Sequence, residues 1–158
     1  MADVTRFLDE AGIDFDVLEH AHTERAADEA DALGIAREQV AKTLVLVAPH
    51  GNVRAVLAAS ERIDLHKVAA TLGVGGKKVH LASEDDLARD YPTFELGAVA
   101  PFGGREDHVL VDERLAQRDS VIVEAGSHER SVRLKTTDLV RLTDAQVADI
   151  CKEDPTAG

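Results

Sequence analysis

Residues 40–48 read VAKTLVLVA, a run in which seven of nine positions are apolar and several are β-branched. A polar, helix-prone segment precedes it and the turn-forming Pro49-His50-Gly51-Asn52 follows, so the run predicts a buried strand. Lys42 is the exception within it. Alternate side chains of a strand share a face, which sets Lys42 beside Leu44 and Leu46, where its ammonium loses water unless an anion meets it. Lys42 is therefore a candidate anion site; a stem that packs while its head reaches solvent is the plainer alternative. Beyond the turn, Val53–Ala59 (VRAVLAA) reads as a second strand, and the pair as a β-hairpin with a loop of about four residues.

Upstream, an amphipathic helix is expected near Asp3–Ala11, closed by Gly12, followed by a half-buried strand over Ile13–Leu18. A second helix, capped by Thr23, turns Ala26, Ala27, Ala30 and Leu33 inward and ends at Gly34. Downstream, Asp64 caps a helix that Gly73 stops, Lys77–Ala82 reads as a short strand, and Ser83-Glu84-Asp85-Asp86 opens another helix with a capping pattern. Phe94–Gly104 (FELGAVAPFGG) is apolar yet rich in Gly and Pro, which predicts a packed loop rather than a linker. His108–Asp112, Ser120–Ala125 and Ser131–Leu134 read as strands, Thr137–Leu142 and Asp144–Cys151 as short helices. The elements alternate irregularly, so the pattern points to α+β around a mixed sheet or partial barrel.

The 158 residues, 44% hydrophobic, suffice for one core, and residues 1–158 are read as a single domain. No apolar run reaches the roughly 18 residues of a membrane span and no secretory signal is visible, so neither membrane nor export is expected and the cytoplasm is the default. Cys151, the single cysteine, is expected to be structural. The net charge of −12 argues against a general DNA or RNA coat, but it is uneven. Between residues 36 and 80, seven cations (Arg37, Lys42, Arg54, Arg62, Lys67, Lys77, Lys78) face three carboxylates, a local +4 that can meet a phosphate backbone. An accident of composition is the alternative.

Familiar catalytic patterns fail. Gly73-Val74-Gly75-Gly76-Lys77-Lys78 lacks the spacing of a phosphate loop, His20-x-His22 has no second pair to complete a zinc set, and Gly126-Ser127-His128 lacks the trailing glycine of a nucleophile elbow. No metal and no cofactor are expected. What remains is Gly97-Ala98-Val99-Ala100-Pro101. Glycine permits unusual dihedrals and close approach of a ligand, and proline fixes the exit, so the loop can aim backbone N–H groups at an oxyanion or can be an ordinary turn.

Lys42, the Gly97–Pro101 loop and Glu124-Ala125-Gly126-Ser127, in that order, resemble the YbaK family of aminoacyl-tRNA deacylases and the related editing domain of bacterial prolyl-tRNA synthetases. The matching segments are QVAKTLVLVA (39–48), ASERIDLHKVAATLG (59–73), ELGAVAPFG (95–103) and VEAGSHERSVRLKTTDL (123–139). The resemblance implies a compact α+β domain, a mixed barrel-like sheet surrounded by helices, that hydrolyses the ester joining a wrong amino acid to a tRNA. Carried over by position, Lys42 matches the family's strand lysine, Gly97 and Pro101 its G-x-x-x-P loop, and Gly126 the glycine of its late turn.

On that reading Lys42 anchors the substrate and the Gly97, Ala98 and Val99 amides stabilise the tetrahedral oxyanion, with no protein nucleophile, because the family is thought to let the terminal ribose hydroxyl help activate water. Ala100, Pro101, Phe102, His108 and Gly126 are expected around the bound amino acid; Phe102 and His108 have structural roles as alternatives. Departures limit the substrate. Ala100 stands where the cysteinyl-tRNA deacylase subgroup has Ser before the proline, which argues against Cys; Val99 and Phe102 can shape a small pocket that excludes larger groups, so a small amino acid, with tRNA-Pro as a candidate carrier, is the working expectation. The expected partners are the aminoacyl-tRNA acceptor end and a synthetase, reached in trans. A non-catalytic tRNA-end or synthetase-binding module of the same fold and a small-molecule hydrolase are the competing readings.

Overall fold

The computed structural model describes residues 4–22 and 26–153. The run that opens the sequence reading forms strand β2 (Ala41–Ala48), paired antiparallel with β3 (Gly51–Ala58). Their register reaches Ala48↔Gly51, so only Pro49 and His50 form the loop, tighter than the four residues expected. Gly51, at φ 133, is what lets the chain reverse so abruptly. Antiparallel β4 (His80–Leu81) and parallel β5 (His108–Asp112) and β8 (Gln146–Ala148) complete a five-stranded sheet in the order β4-β2-β3-β5-β8. A separate antiparallel sheet holds β1 (Phe15–Glu19), β7 (Arg130–Lys135) and β6 (Ser120–Ser127) in that order. A single parallel bridge, Val40↔Ile122, links the sheets. The expected α+β class is observed, as two bridged sheets rather than one closed barrel.

The helices are α1 (Val4–Glu10), α2 (Ala26–Leu33), α3 (Leu65–Leu72), α4 (Glu84–Asp90), α5 (Glu113–Ala116) and α6 (Thr136–Thr143). Their ends follow the sequence signals. The Asp64 carboxylate accepts the amides of His66 and Lys67, Gly73 closes α3 in the left-handed region, and Ser83 and Asp86 form a reciprocal capping box on α4. The cap expected at Thr23 lies outside the described residues. Residues 144–151, expected as a helix, instead carry β8. Asp144 turns left-handed at φ 51 to end α6, and the short apolar run after it pairs with β5. Such a run is ambiguous by periodicity, and the neighbouring strand decides it.

Three apolar clusters result. One lies between the sheets, with Val45, Val56, Val123 and Val132 facing one another and Leu8 of α1 across one end. A second packs Val68 and Ala69 of α3 on the opposite face of the five-stranded sheet, against Leu46, Ala55 and Leu57. The third joins Ala30 of α2 to Val40 and Ile122 across the bridge. Cys151 is fully buried in the second cluster, and burial pushes its thiol up to about 12, so it stays protonated as a structural group. Among the described residues no helix is long and apolar enough to cross a membrane.

Candidate active site

The loop that follows α4 is pinned from behind by a buried cation. Arg54 of β3 is 1% exposed and lies on the face that looks between the sheets. Its Nε donates to Asp107 Oδ2 at 2.9 Å, its Nη1 to the Ala100 carbonyl at 2.9 Å, and its Nη2 to the carbonyls of Gly103 (2.7 Å) and Arg105 (3.1 Å). Tyr91 Oη adds a 2.6 Å bond to the same carboxylate oxygen, and the guanidinium stacks over the Tyr91 and Phe94 rings. A charge taken out of water is tolerable only with such complete pairing.

The front of the loop is tied to the turn between β6 and β7. Glu95 N–H donates to the Gly126 carbonyl (3.0 Å), His128 N–H to Glu95 Oε2 (2.9 Å), and His128 Nε2 to the Leu96 carbonyl (2.7 Å). Gly126, at φ 92, sits in the irregularity that breaks the β6–β7 register between Glu124 and Ser127. Gly97 follows at φ 81, and a Cβ added there would lie 3.5 Å from the His128 ring. Among the described residues the N–H groups of Gly97 and Val99 have no hydrogen-bond partner, whereas Ala98 N–H is spent on the Glu95 carbonyl at 2.9 Å. A polar cavity of about 430 Å³ opens beside this clamp, lined in part by His20, Glu95, Ser127 and Arg130.

The outer face of the three-stranded sheet continues from this cavity. Ser131 and Glu124 are cross-strand partners there, both buried, and His20 Nε2 lies 2.9 Å from Ser131 Oγ while its Nδ1 donates to the Ala21 carbonyl. Val40 and Ile122 meet at the bridge, and Lys42, two residues further along β2, is paired with Leu57 on the face of the second cluster, where its charged neighbours are Cys151, Arg62 and Glu61. Lys42 is half-buried, and among the described residues its ammonium has no hydrogen-bond or ion-pair partner. Burial lowers its pKa from the ordinary lysine value; Arg62 adds to that shift, and Cys151 and Glu61 oppose it. A cation so placed gains from any anion that reaches it.

The chain matches the model of the aminoacyl-tRNA editing domain over residues 20–142. It belongs to that family. It is 32% identical over 148 residues to the multifunctional Ser/Thr-tRNA deacylase ProXp-y of Escherichia coli K12, covering 90% of this chain and 87% of that protein. It is 30% identical over 127 residues to EbsC of Enterococcus faecalis, provisionally named a Cys-tRNA(Pro)/Cys-tRNA(Cys) deacylase, covering 79% and 76%. A crystal structure provisionally described as a trans-editing enzyme for prolyl-tRNA synthetase superposes with a TM-score of 0.83 at 27% identity, over 96% of this chain and 98% of the other.

Within this editing domain, several expected site residues turn out to have other duties. The Ala98 N–H is bonded within the turn to the Glu95 carbonyl. Val99, Ala100, Pro101 and Phe102 are buried; Val99, Ala100 and Phe102 pack into the cluster between the sheets, and Phe102 stacks on Phe7 at 5.5 Å. An apolar loop on a sheet sandwich drives its side chains inward, and Phe102 packs in that core while also bordering a cavity. His108 is exposed, bonded to Gln146, and borders a cavity of about 650 Å³ that includes Pro101 and Phe102 but not Lys42, Gly97 or Gly126. Gly126 serves as the clamp's acceptor. Arg54 and Lys67, two of the seven cations of the basic stretch, are turned to internal use: Lys67 bonds Asp149 and the Cys151 carbonyl. Sequence reasoning weighed His20 only as a zinc ligand and His128 only within a nucleophile elbow, and gave Glu95 and Ser131 no role of their own, although both lie in the segments that carry the resemblance. Among the described residues no group of three or more His, Cys, Asp or Glu is arranged to hold a metal ion.

Two outcomes follow from this geometry. Arg54→Met leaves the carbonyls of Ala100, Gly103 and Arg105 without their shared donor while Asp107 keeps Tyr91 and Arg105, and a cost of about 3 kcal/mol is expected in denaturant unfolding. Gly97→Ala costs only about 1–2 kcal/mol of backbone strain, yet it lowers ester turnover because the turn relaxes out of the positive-φ region; equal turnover by this variant would remove the turn from the chemistry.

Proposed function

We propose that this editing domain is a trans-acting aminoacyl-tRNA deacylase that removes a small, wrongly attached amino acid from a tRNA, and that residues 1–158 form one such domain. Family membership and the deacylase names of its relatives support the reaction class. The observation that carries the chemistry is the clamped Gly97 turn, with the N–H groups of Gly97 and Val99 unspent among the described residues. Water attacks the ester carbonyl carbon, the carbonyl electrons move onto oxygen, and the two amides receive that oxyanion. Collapse breaks the bond to the ribose oxygen, which takes up the proton given up by the attacking water, and releases the amino acid. Each oriented donor of this kind contributes about 100- to 1000-fold in rate.

Lys42 supplies the anchoring charge for a phosphate of the tRNA end, and its lack of an internal partner leaves it available. The polar cavity beside the clamp suits a short polar side chain, in keeping with the Ser/Thr specificity in the name of the E. coli relative. A synthetase is the natural second partner, since the solved neighbour is described as serving one. Both reside where tRNA is charged, in the cytoplasm.

The test is a panel of tRNAs charged with Ser, Thr, Ala or Cys. Release of at least one amino acid is expected, and Lys42→Ala slows it by about tenfold or more, the equivalent of about 1.4 kcal/mol. A tRNA mobility shift without hydrolysis would instead identify a binding module. The same lysine makes a stability prediction. Its folded pKa lies below the unfolded one, so the unfolded chain binds more protons between the two values, and stability rises with pH across that window. Lys42→Met therefore stabilises the protein at neutral pH, and its advantage shrinks toward pH 10; thermal melting at several pH values reads this directly.

A further inference from the structure

We propose that His128 is a positioning residue for catalysis, aiming the Gly97 amide through the peptide bond it shares with Leu96; this rests on the deacylase reading above. The Leu96 carbonyl and the Gly97 N–H belong to one planar trans peptide, in which the two groups point in opposite directions. By holding that carbonyl at 2.7 Å, His128 Nε2 turns the Gly97 N–H away from itself and polarises the unit, which makes the N–H a better donor. The lever is itself immobilised. His128 is 3% exposed, its own N–H is held by Glu95 Oε2, and the His22 ring packs against its ring at 5.0 Å. Its ring edge also occupies the space beside Gly97 where a side chain would lie, so glycine and histidine form a matched pair across 31 residues of sequence. Glu95 completes the device, because its carboxylate and amide tie the same turn to both Gly126 and His128.

The test compares His128→Ala, His128→Gln, Glu95→Ala and Glu95→Gln on whichever panel tRNA the unsubstituted protein deacylates fastest. A donor displaced by about 1 Å costs on the order of 100-fold. Each Ala variant is expected to lose kcat by about 10- to 100-fold with KM nearly unchanged, while Gln, which restores a donor at 128 or an acceptor at 95, recovers much of it. A KM effect alone, or unchanged kcat in a folded His128→Ala, overturns the proposal. A second readout needs no substrate: in the free protein, the amide resonance of Gly97 shifts and its hydrogen exchange quickens in His128→Ala, and an unmoved Gly97 amide refutes the lever. If the unsubstituted protein hydrolyses no charged tRNA, the deacylase reading fails while the amide measurement still decides the clamp. Should His128→Ala not fold, His128→Gln and Glu95→Ala carry both readouts.

Discussion

A guanidinium buried between two sheets governs the geometry of this protein. Arg54 is held by one carboxylate and three backbone carbonyls, all from the segment between residues 100 and 107. Desolvating an arginine is unfavourable by several kcal/mol unless its donors are matched, and here the matching groups are the loop itself. The loop consequently has one low-energy course across the sandwich. Had a lysine stood at this position, its single point charge could not have gathered carbonyls spread over that span.

With its back fixed, the loop divides its labour between side chains and main chain. Val99, Ala100 and Phe102 drive into the core, which supplies the apolar burial that keeps a Gly/Pro segment ordered. The main chain at Gly97 is tied against the end of β6, with its N–H unspent among the described residues. On the function proposed above, the useful groups are amide N–H dipoles rather than a serine or cysteine nucleophile, and what the fold must provide is their direction. Lys42 illustrates the complementary cost. A half-buried ammonium without a hydrogen-bond or ion-pair partner among the described residues destabilises the folded chain, a cost in keeping with the anchoring role proposed for it.

Charge acts at longer range. The chain carries −12 overall, yet the stretch from residue 36 to residue 80 is net positive. The structure reduces that zone, because Arg54 and Lys67 are committed internally, and leaves Arg62, Lys77 and Lys78 exposed with Lys42 half-buried. An acidic protein with a confined basic region repels nucleic acid over most of its surface and accepts it over little, which favours orientation over affinity.

The sequence by itself determined what depends on neighbours in the chain. The β2–β3 hairpin, the Asp64 and Ser83 caps, the Gly73 stop, the odd lysine of β2 and the glycine of the loop were all legible, since periodicity, capping and dihedral freedom act within a few residues. The family resemblance was legible for the same reason, being carried by short motifs in order. Only the tertiary structure decided which groups face one another across 53 residues, as Arg54 and Asp107 do, or across 32, as His128 and Leu96 do. It also decided that residues 146–148 are a strand and that the Ala98 N–H is bonded within its own turn. Partners of that kind are selected by packing and by the need to pair every buried polar group, and neither constraint is written in local spacing.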